Sequence, residues 1–493
     1  MIYNFNLGIG WASSGVEYAQ IYRARMFRNI GVDAKFVFTD MFPSENMEHM
    51  TKNIGFLDSE VIWLYTFFTD FKTAPVTYTL SDLEKTFTDL NYTKTREGKI
   101  CRYVFGGSNN FYTAYMVNDH DDFVHRVELV SNGFLIRKDY FTYGRVYSEY
   151  YAPLDNKAHL YHRRFFNENG SVAYEEIIDD DRVMYKFKDK ILCSKEELVG
   201  YMVSQLHLTK DDVVLIDRST DIGQSILMNC KPARVGTVVH ADHFSEKDTN
   251  DDYILWNNFY EYEFNMHKHI DFYICSTQAQ SDLMVQQFEK YYGVTPCVYT
   301  IPVGSLPELK YPKENRKPFS LITASRLASE KHVDWICKAV IQARSEVPEL
   351  SLDIYGEGGE KSKLETIIRE NNASDYIHLM GQHDLSEVYQ NYEAYIAGST
   401  SEGFGLTLME AVGGGLPIIG FDVRYGNPTF IRDGENGYLI SLPEEDKDKI
   451  EALRKGIVDL FKQDLEKCHS VSYEVAKDFL TCNVQEKWRE AVC

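Results

Sequence analysis

Positive charge is scarce in this 493-residue chain: 52 lysines and arginines stand against 74 aspartates and glutamates, a formal net charge of −22. So acidic a surface repels phosphate backbones, and no nucleic-acid partner is expected, although a local basic pocket for a small phosphate is compatible with the total. No apolar run approaches the ~20 residues that a membrane-spanning helix needs. Residues 1–6, Met1-Ile2-Tyr3-Asn4-Phe5-Asn6, offer neither a basic stretch nor a long apolar one, so no signal peptide is expected. No Cys-x-x-Cys pair occurs among the nine scattered cysteines. That odd, unpatterned set suits reduced thiols in a cytoplasmic protein better than a disulfide framework. Peripheral contact with the inner face of a membrane stays open. Internal repeats and low-complexity tracts are missing too.

What is present is the balance of a soluble globular chain of several domains, 44 % hydrophobic and 26 % charged. Aromatics reach 14 %, which hints at a sheet-rich part. Residues 1–45 read as strand (3–7), a glycine-rich turn (8–15), helix (16–29) and strand (34–38), the first part of a Rossmann-like domain. Ser14 with Glu17 fits a capping box. Residues 46–204 read as an inserted antiparallel meander. Aromatic alternating runs at 102–105, 111–115 and 134–137 are separated by the turn signals Gly106-Gly107-Ser108-Asn109, Asn118-Asp119 and Asn167-Glu168-Asn169-Gly170. Residues 205–313 resume the α/β rhythm with strands at 213–216, 234–240, 272–276 and 298–302. Residues 314–475 form a second such domain, with strands at 320–324, 351–355, 377–379, 394–397, 417–421 and 437–440. A last helix, 476–493, is expected to pack back on the N-terminal domain. The fold class is α/β: two Rossmann-like domains facing across a cleft, with an inserted antiparallel β-meander.

Open parallel sheets bind ligands at the carboxyl ends of their strands, so the residues that follow each strand are the candidates. After the first strand comes Gly8-Ile9-Gly10 and then Ser14-Gly15-Val16-Glu17, where glycine permits close approach and a helix start offers free amides. On its own this is a weak signal, as compatible with a plain tight turn. After strand 320–324 comes Ser325-Arg326-Leu327-Ala328-Ser329-Glu330-Lys331, with two cations able to meet a diphosphate, or equally to form a solvated basic turn. Gly356-Glu357-Gly358-Gly359 is a turn against which a ligand could lie. The loop at Gln382 and His383 could hold a base edge. The strongest segment is Ser401-Glu402-Gly403-Phe404-Gly405-Leu406, where a carboxylate sits in a glycine turn, a helix begins and Glu410 follows. Dipole stabilisation alone would explain a carboxylate at a helix start but not the glycines around it. His240-Ala241-Asp242-His243 ends another strand; its side chains could touch a sugar, ligate a metal or serve the core, and no fourth zinc ligand is nearby. Asp119-His120-Asp121 and Asp179-Asp180-Asp181 read as solvated loop carboxylates.

Together these pieces resemble the retaining glycosyltransferases of family 4, which have the GT-B fold. Arg326 with Lys331 matches the family's donor-diphosphate pair, and Glu402 with Glu410 its two glutamates separated by seven residues. Residues 6–18, 136–141 and 252–258 are similar to the GtfA-type subunits of Gram-positive accessory secretion loci, a resemblance that covers essentially the whole chain. It implies a catalytic subunit that moves N-acetylglucosamine from UDP-GlcNAc to Ser and Thr of a serine-rich repeat adhesin before its export. It also implies a hetero-oligomer with a GtfB-type non-catalytic subunit, docked on the meander, and front-side attack with no metal or other cofactor. In that scheme Arg326 and Lys331 face the diphosphate, and Glu402 with Gly403, Phe404, Gly405 and Leu406 holds the sugar. Glu410 takes the ribose, Gln382 and His383 the base, and His240 or His243 the sugar. Gly15 and Val16 pass close to the phosphates. Asp242 departs slightly from the family, where Glu is expected. The alternatives are a non-catalytic sister subunit, which should lack the four charged residues, a teichoic-acid-type polyol-phosphate glycosyltransferase, and UDP-glucose as donor.

Overall fold

The computed structural model describes residues 1–9, 15–43, 45–88, 91–106 and 109–493. It divides into two compact units. One is Met1–Ala24 with Val32–Thr237 and Asn258–Asp271; the other is Arg25–Gly31 with Val238–Asn257 and Phe272–Cys493.

In the first unit, the strands run in the order Arg234–Val239, Val213–Ile216, Ile2–Asn6, Ala34–Phe38, Val61–Trp63, all parallel. Both faces of such a sheet are covered, which is why Val213–Ile216 is apolar throughout and fully buried. The order reverses between Ile2–Asn6 and Val213–Ile216. The helix Gly15–Ile30 is keyed to that point by a buried ion pair: Arg23 donates to both oxygens of Asp217, at 2.6 and 2.9 Å, and to Asn4 at 2.8 Å. Removing either partner of such a pair would strand a buried charge, at a cost of about 3–5 kcal/mol.

The inserted sheet has ten antiparallel strands, from Tyr92–Glu97 to Ile191–Leu192, each paired with its neighbour in sequence. One of its faces buries a stack of rings. Phe165 lies 4.4 Å from Tyr174, 5.6 Å from Tyr147 and 5.7 Å from Tyr65, and Tyr140 stacks on Tyr147 at 4.3 Å. These rings share one core with Phe5, Val37 and Val214 of the parallel sheet. The high aromatic content is therefore the seam between two sheets. The expected span of 46–204 is wider than the sheet. Met47–Ile54 is a helix, Val61–Trp63 pairs parallel with Ala34–Phe38, and Lys195–Gln205 is again helical. The aromatic run from Trp63 to Phe68 has the texture of the meander, and pattern alone does not separate a buried parallel strand from a buried antiparallel one. Ser14 of the expected capping box, Gly10 to Ser13 of the glycine-rich turn, and Gly107 with Ser108 lie outside the described residues.

The second unit holds a six-stranded parallel sheet in the order Ile377–Gly381, Ser351–Tyr355, Ser320–Ala324, Ala394–Ile396, Ile418–Phe421, Gly437–Ile440. In chain order these are the third, second, first, fourth, fifth and sixth strands, the Rossmann arrangement, with its switch point between Ser320–Ala324 and Ala394–Ile396. The parallel pair Phe272–Cys275 and Val298–Thr300 continues the sheet of Arg234–Val239 and Ile2–Asn6, as expected for 205–313, although its contacts group it with this second unit. Contacts of these residues account for the difference: Asp242 and Glu246 bond to Tyr425 and Arg424, and Leu306 bonds to Phe479 and Thr481. The last helix, expected at 476–493, is Thr481–Val492, after a 3-10 turn at Lys477–Phe479; it places Trp488 edge-on to Phe27 at 5.3 Å. All nine cysteines are free thiols. Among the described residues, no helix is long and apolar enough to cross a membrane.

Candidate functional site

The two strands that flank the switch point of the second unit end in the two strongest sequence motifs. After Ser320–Ala324 the backbone turns through Ser325–Leu327 into a 3-10 turn, Ser329–Lys331. After Ala394–Ile396 it runs through Gly398–Ser401 to Glu402. There Lys331 Nζ donates to Glu402 Oε2 at 2.6 Å, each side chain about one-fifth exposed. A pair so placed keeps its charges partly exposed at the carboxyl ends of the strands, where a ligand can reach both.

Backbone bonds fix Glu402. Its amide donates to the Arg424 carbonyl at 3.1 Å, and its carbonyl accepts from the Gly426 amide at 2.7 Å and from that of Tyr425. Gly405, at φ 88°, then turns the chain into the helix Leu406–Gly413. A Cβ on Gly405 would stand 2.6 Å from Leu408 Cδ1, so only glycine fits the bend. The first amides of that helix have no intrahelical acceptor and carry the positive end of its dipole. Phe404 itself is core, its ring against Phe430 and Phe479 at 5.3 and 6.0 Å, so only its backbone can serve a ligand.

The other predicted residues divide. Arg326 does not join Lys331 and Glu402: its side chain is 81 % exposed and reaches Glu330, 3.3 Å away and four residues on. The convergence of two cations on two glutamates is thus realised for Lys331 and Glu402 only. Glu410 lies further along the helix, accepting from the Tyr389 hydroxyl at 3.1 Å, and burial pushes its carboxyl above the usual range. Gln382 and His383 are exposed; His383 Nε2 lies 2.8 Å from the Met380 carbonyl, with its ring edge-on to Tyr355. At the turn Gly356 and Gly358 the side that a Cβ would take is filled by a second loop. The backbone of residues 325–327 occupies it, with Leu327 N donating to the Glu357 carbonyl at 2.9 Å and a Cβ on Gly356 or Gly358 driven into Ser325 or Leu327.

His240 and His243 part company. His240 ends its strand half-buried, its carbonyl 3.5 Å from the place where a Cβ on Gly403 would sit. His243 is fully buried between Tyr425 and Trp256 and bonded to Gln287 at 2.7 Å. Burial pushes its pKa down to about 4, so it is a neutral core imidazole and not a sugar contact. Asp242 accepts the Tyr425 hydroxyl at 2.6 Å. In the first unit, Gly15 begins its helix exposed, with open space where a Cβ would be, while the Val16 side chain is buried.

Sequence reasoning missed Tyr425 and Tyr389. Tyr425 follows strand Ile418–Phe421, and the strand-end rule applied to that strand would have found it. Tyr389 sits in a 3-10 turn with no local signature.

Comparison with known proteins sets this geometry in a family. Residues 93–189 match the GtfA extended beta-sheet domain, and residues 308–478 match the glycosyl transferases group 1. The UDP-N-acetylglucosamine–peptide N-acetylglucosaminyltransferase GtfA subunit of Streptococcus agalactiae is 52 % identical, over 99 % of this chain and 97 % of its own length. A crystal structure of a GtfA/B complex has a chain that superposes with a TM-score of 0.96 at 53 % identity, covering 100 % of this chain and 99 % of that one. The pneumococcal O-GlcNAc transferase GtfA in complex with UDP and GlcNAc gives a TM-score of 0.87 at 50 % identity, covering 100 % and 98 %. The fold is that of the GT-B glycosyltransferases, and the chain belongs to the GtfA-subunit family of peptide N-acetylglucosaminyltransferases.

Proposed function

We propose that this chain is the catalytic subunit of a cytoplasmic enzyme that transfers N-acetylglucosamine from UDP-GlcNAc to Ser and Thr hydroxyls of a serine-rich repeat adhesin before export. Its partner is a GtfB-type subunit. Membership of the family supports the reaction and the partner. The observation that carries the site is the Lys331–Glu402 pair at the switch point. A diphosphate leaving group gains negative charge as the bond from the sugar C1 to oxygen breaks. A cation placed there is worth more in the transition state than in the ground state, and so accelerates the step.

In this reading Lys331, joined by the exposed arm of Arg326, neutralises the departing UDP without a metal. Glu402 and the amides at residues 403–406 hold the sugar hydroxyls, with His240 beside them. Glu410 accepts from the ribose, and the loop at Gln382 and His383 meets the base. The acceptor hydroxyl forms the new bond to C1 on the face that UDP leaves, and its proton passes to the departing phosphate oxygen. Gly15 keeps open space at its helix start for a phosphate.

The test is a transfer assay read by mass spectrometry, with UDP-GlcNAc, UDP-glucose and UDP-GalNAc offered to a Ser/Thr-rich peptide, with and without the partner subunit. A mass gain of one N-acetylhexosamine per site, from UDP-GlcNAc alone, is expected. Transfer from UDP-glucose instead, or transfer to a polyol-phosphate polymer and not to the peptide, would overturn the reading.

A further inference from the structure

Glu410 is an awkward group to assign to a ribose. A carboxyl accepts from two vicinal hydroxyls most strongly when ionised, yet Glu410 sits half-buried on the helix Leu406–Gly413, with the Asp384 charge also working against its ionisation. One contact works the other way. Tyr389, 3 % exposed, donates its hydroxyl to Glu410 Oε2 at 3.1 Å.

The approach of these two residues is built into the backbone. Tyr389 opens the 3-10 turn Tyr389–Asn391, and the helix that carries Glu410 ends at Gly414. A Cβ on Gly414 would lie 2.8 Å from Tyr389 Cβ, closer than any side chain allows. Glycine there lets the turn press against the helix end and fixes the phenol over the carboxylate. The other titratable or charged groups that face this stretch are spent elsewhere. Arg316 donates to the Gly414 carbonyl at 2.9 Å, Tyr473 to the same carbonyl at 3.2 Å, and His469 lies 2.8 Å from the Gly415 carbonyl. Tyr395, whose ring lies 6.3 Å from that of Tyr389, bonds to Ala324 and Thr407.

We propose that Tyr389 is a positioning residue for the nucleotide: its phenol occupies one oxygen of Glu410, orients the carboxylate, and leaves the second oxygen to the ribose hydroxyls. The inference rests on the assignment of Glu410 to the ribose made above. Because the phenol is a donor at any working pH, it favours the ionised carboxylate and extends nucleotide binding to lower pH.

The test is calorimetric titration of the full chain with UDP between pH 5 and 8, for wild type, Tyr389→Phe, Glu410→Gln and the double variant. Tyr389→Phe keeps the ring and its packing. It should weaken UDP about fivefold at pH 7, the equivalent of about 1 kcal/mol for one hydrogen bond, and should move the acid limb of affinity upward by at least about half a pH unit. Glu410→Gln should weaken binding and remove the limb, and the double variant should bind no worse than Glu410→Gln alone. An acid limb unmoved by Tyr389→Phe, or a loss that persists undiminished in the Glu410→Gln background, would overturn the positioning role while leaving the ribose assignment standing. Wild-type affinity and pH course in Glu410→Gln would instead overturn the assignment itself, and the inference with it.

Discussion

Lys331 and Glu402 share a 2.6 Å hydrogen bond across 71 residues of chain, at the ends of two strands that flank a switch point. Lys331→Ala should therefore lower kcat about a hundredfold or more, the usual cost of removing one group that stabilises transition-state charge. A loss within about threefold, under about 1 kcal/mol, would remove Lys331 from the leaving-group role.

Arg326 supplies a contrast. An exposed i,i+4 pair contributes little to stability, so Arg326→Ala should leave the melting temperature within about 1 °C. If its arm reaches the diphosphate during turnover, kcat/KM should still fall about tenfold or more. Unchanged kinetics would mark Arg326 as a surface residue.

The ring stack makes Phe165 a stability hot spot far from the chemistry. Phe165→Ala should cost about 3–5 kcal/mol and be visible in thermal denaturation. On the outward side of the same sheet, Ile177 and Met184 are cross-strand neighbours, each about two-fifths exposed. Replacing both by lysine should spare the melting temperature and weaken binding of the GtfB-type subunit, measured by analytical ultracentrifugation. Undiminished binding would move the docking surface elsewhere.

Acid should destabilise the fold early. His125, His243 and His469 are each pushed down to about 4 by burial, from 6.5 in the unfolded chain. Between those values the unfolded chain binds protons that the folded chain refuses, so stability falls as pH drops from 6.5 towards 4. Glu263, pushed up to about 7 by burial, has the opposite sign: its folded form takes a proton first, so stability gains as pH falls through 7. Proton uptake on unfolding at pH 5, from calorimetry in two buffers, should drop by about one in His469→Gln.

Much of this was legible in the sequence. The second-unit strands stand out as short apolar runs, and the strand-end rule points at Lys331 and Glu402. What pattern cannot carry is direction. Arg326 and Lys331 look alike in one turn, yet one side chain points at Glu402 and the other at Glu330. His240 and His243 are three residues apart, and only packing separates a strand-end residue from a core imidazole. The glycines at 356 and 358 looked like room for a ligand because a close approach by a second loop leaves the same signature. The meander's start was misplaced because Trp63 to Phe68 is as aromatic as the sheet it packs on.

The rings joining the inserted sheet to the parallel one have an implication for anyone wishing to transplant it. Phe165 and Tyr174 interlock with Tyr65, and Trp63 leans on Tyr147, so the ten strands are not a cassette with clean edges. Excising residues 50–200 would tear out Val61–Trp63, a strand of the parallel sheet, as well. A chimaera that borrows the sheet from a relative would have to import its bedding residues in the same cut.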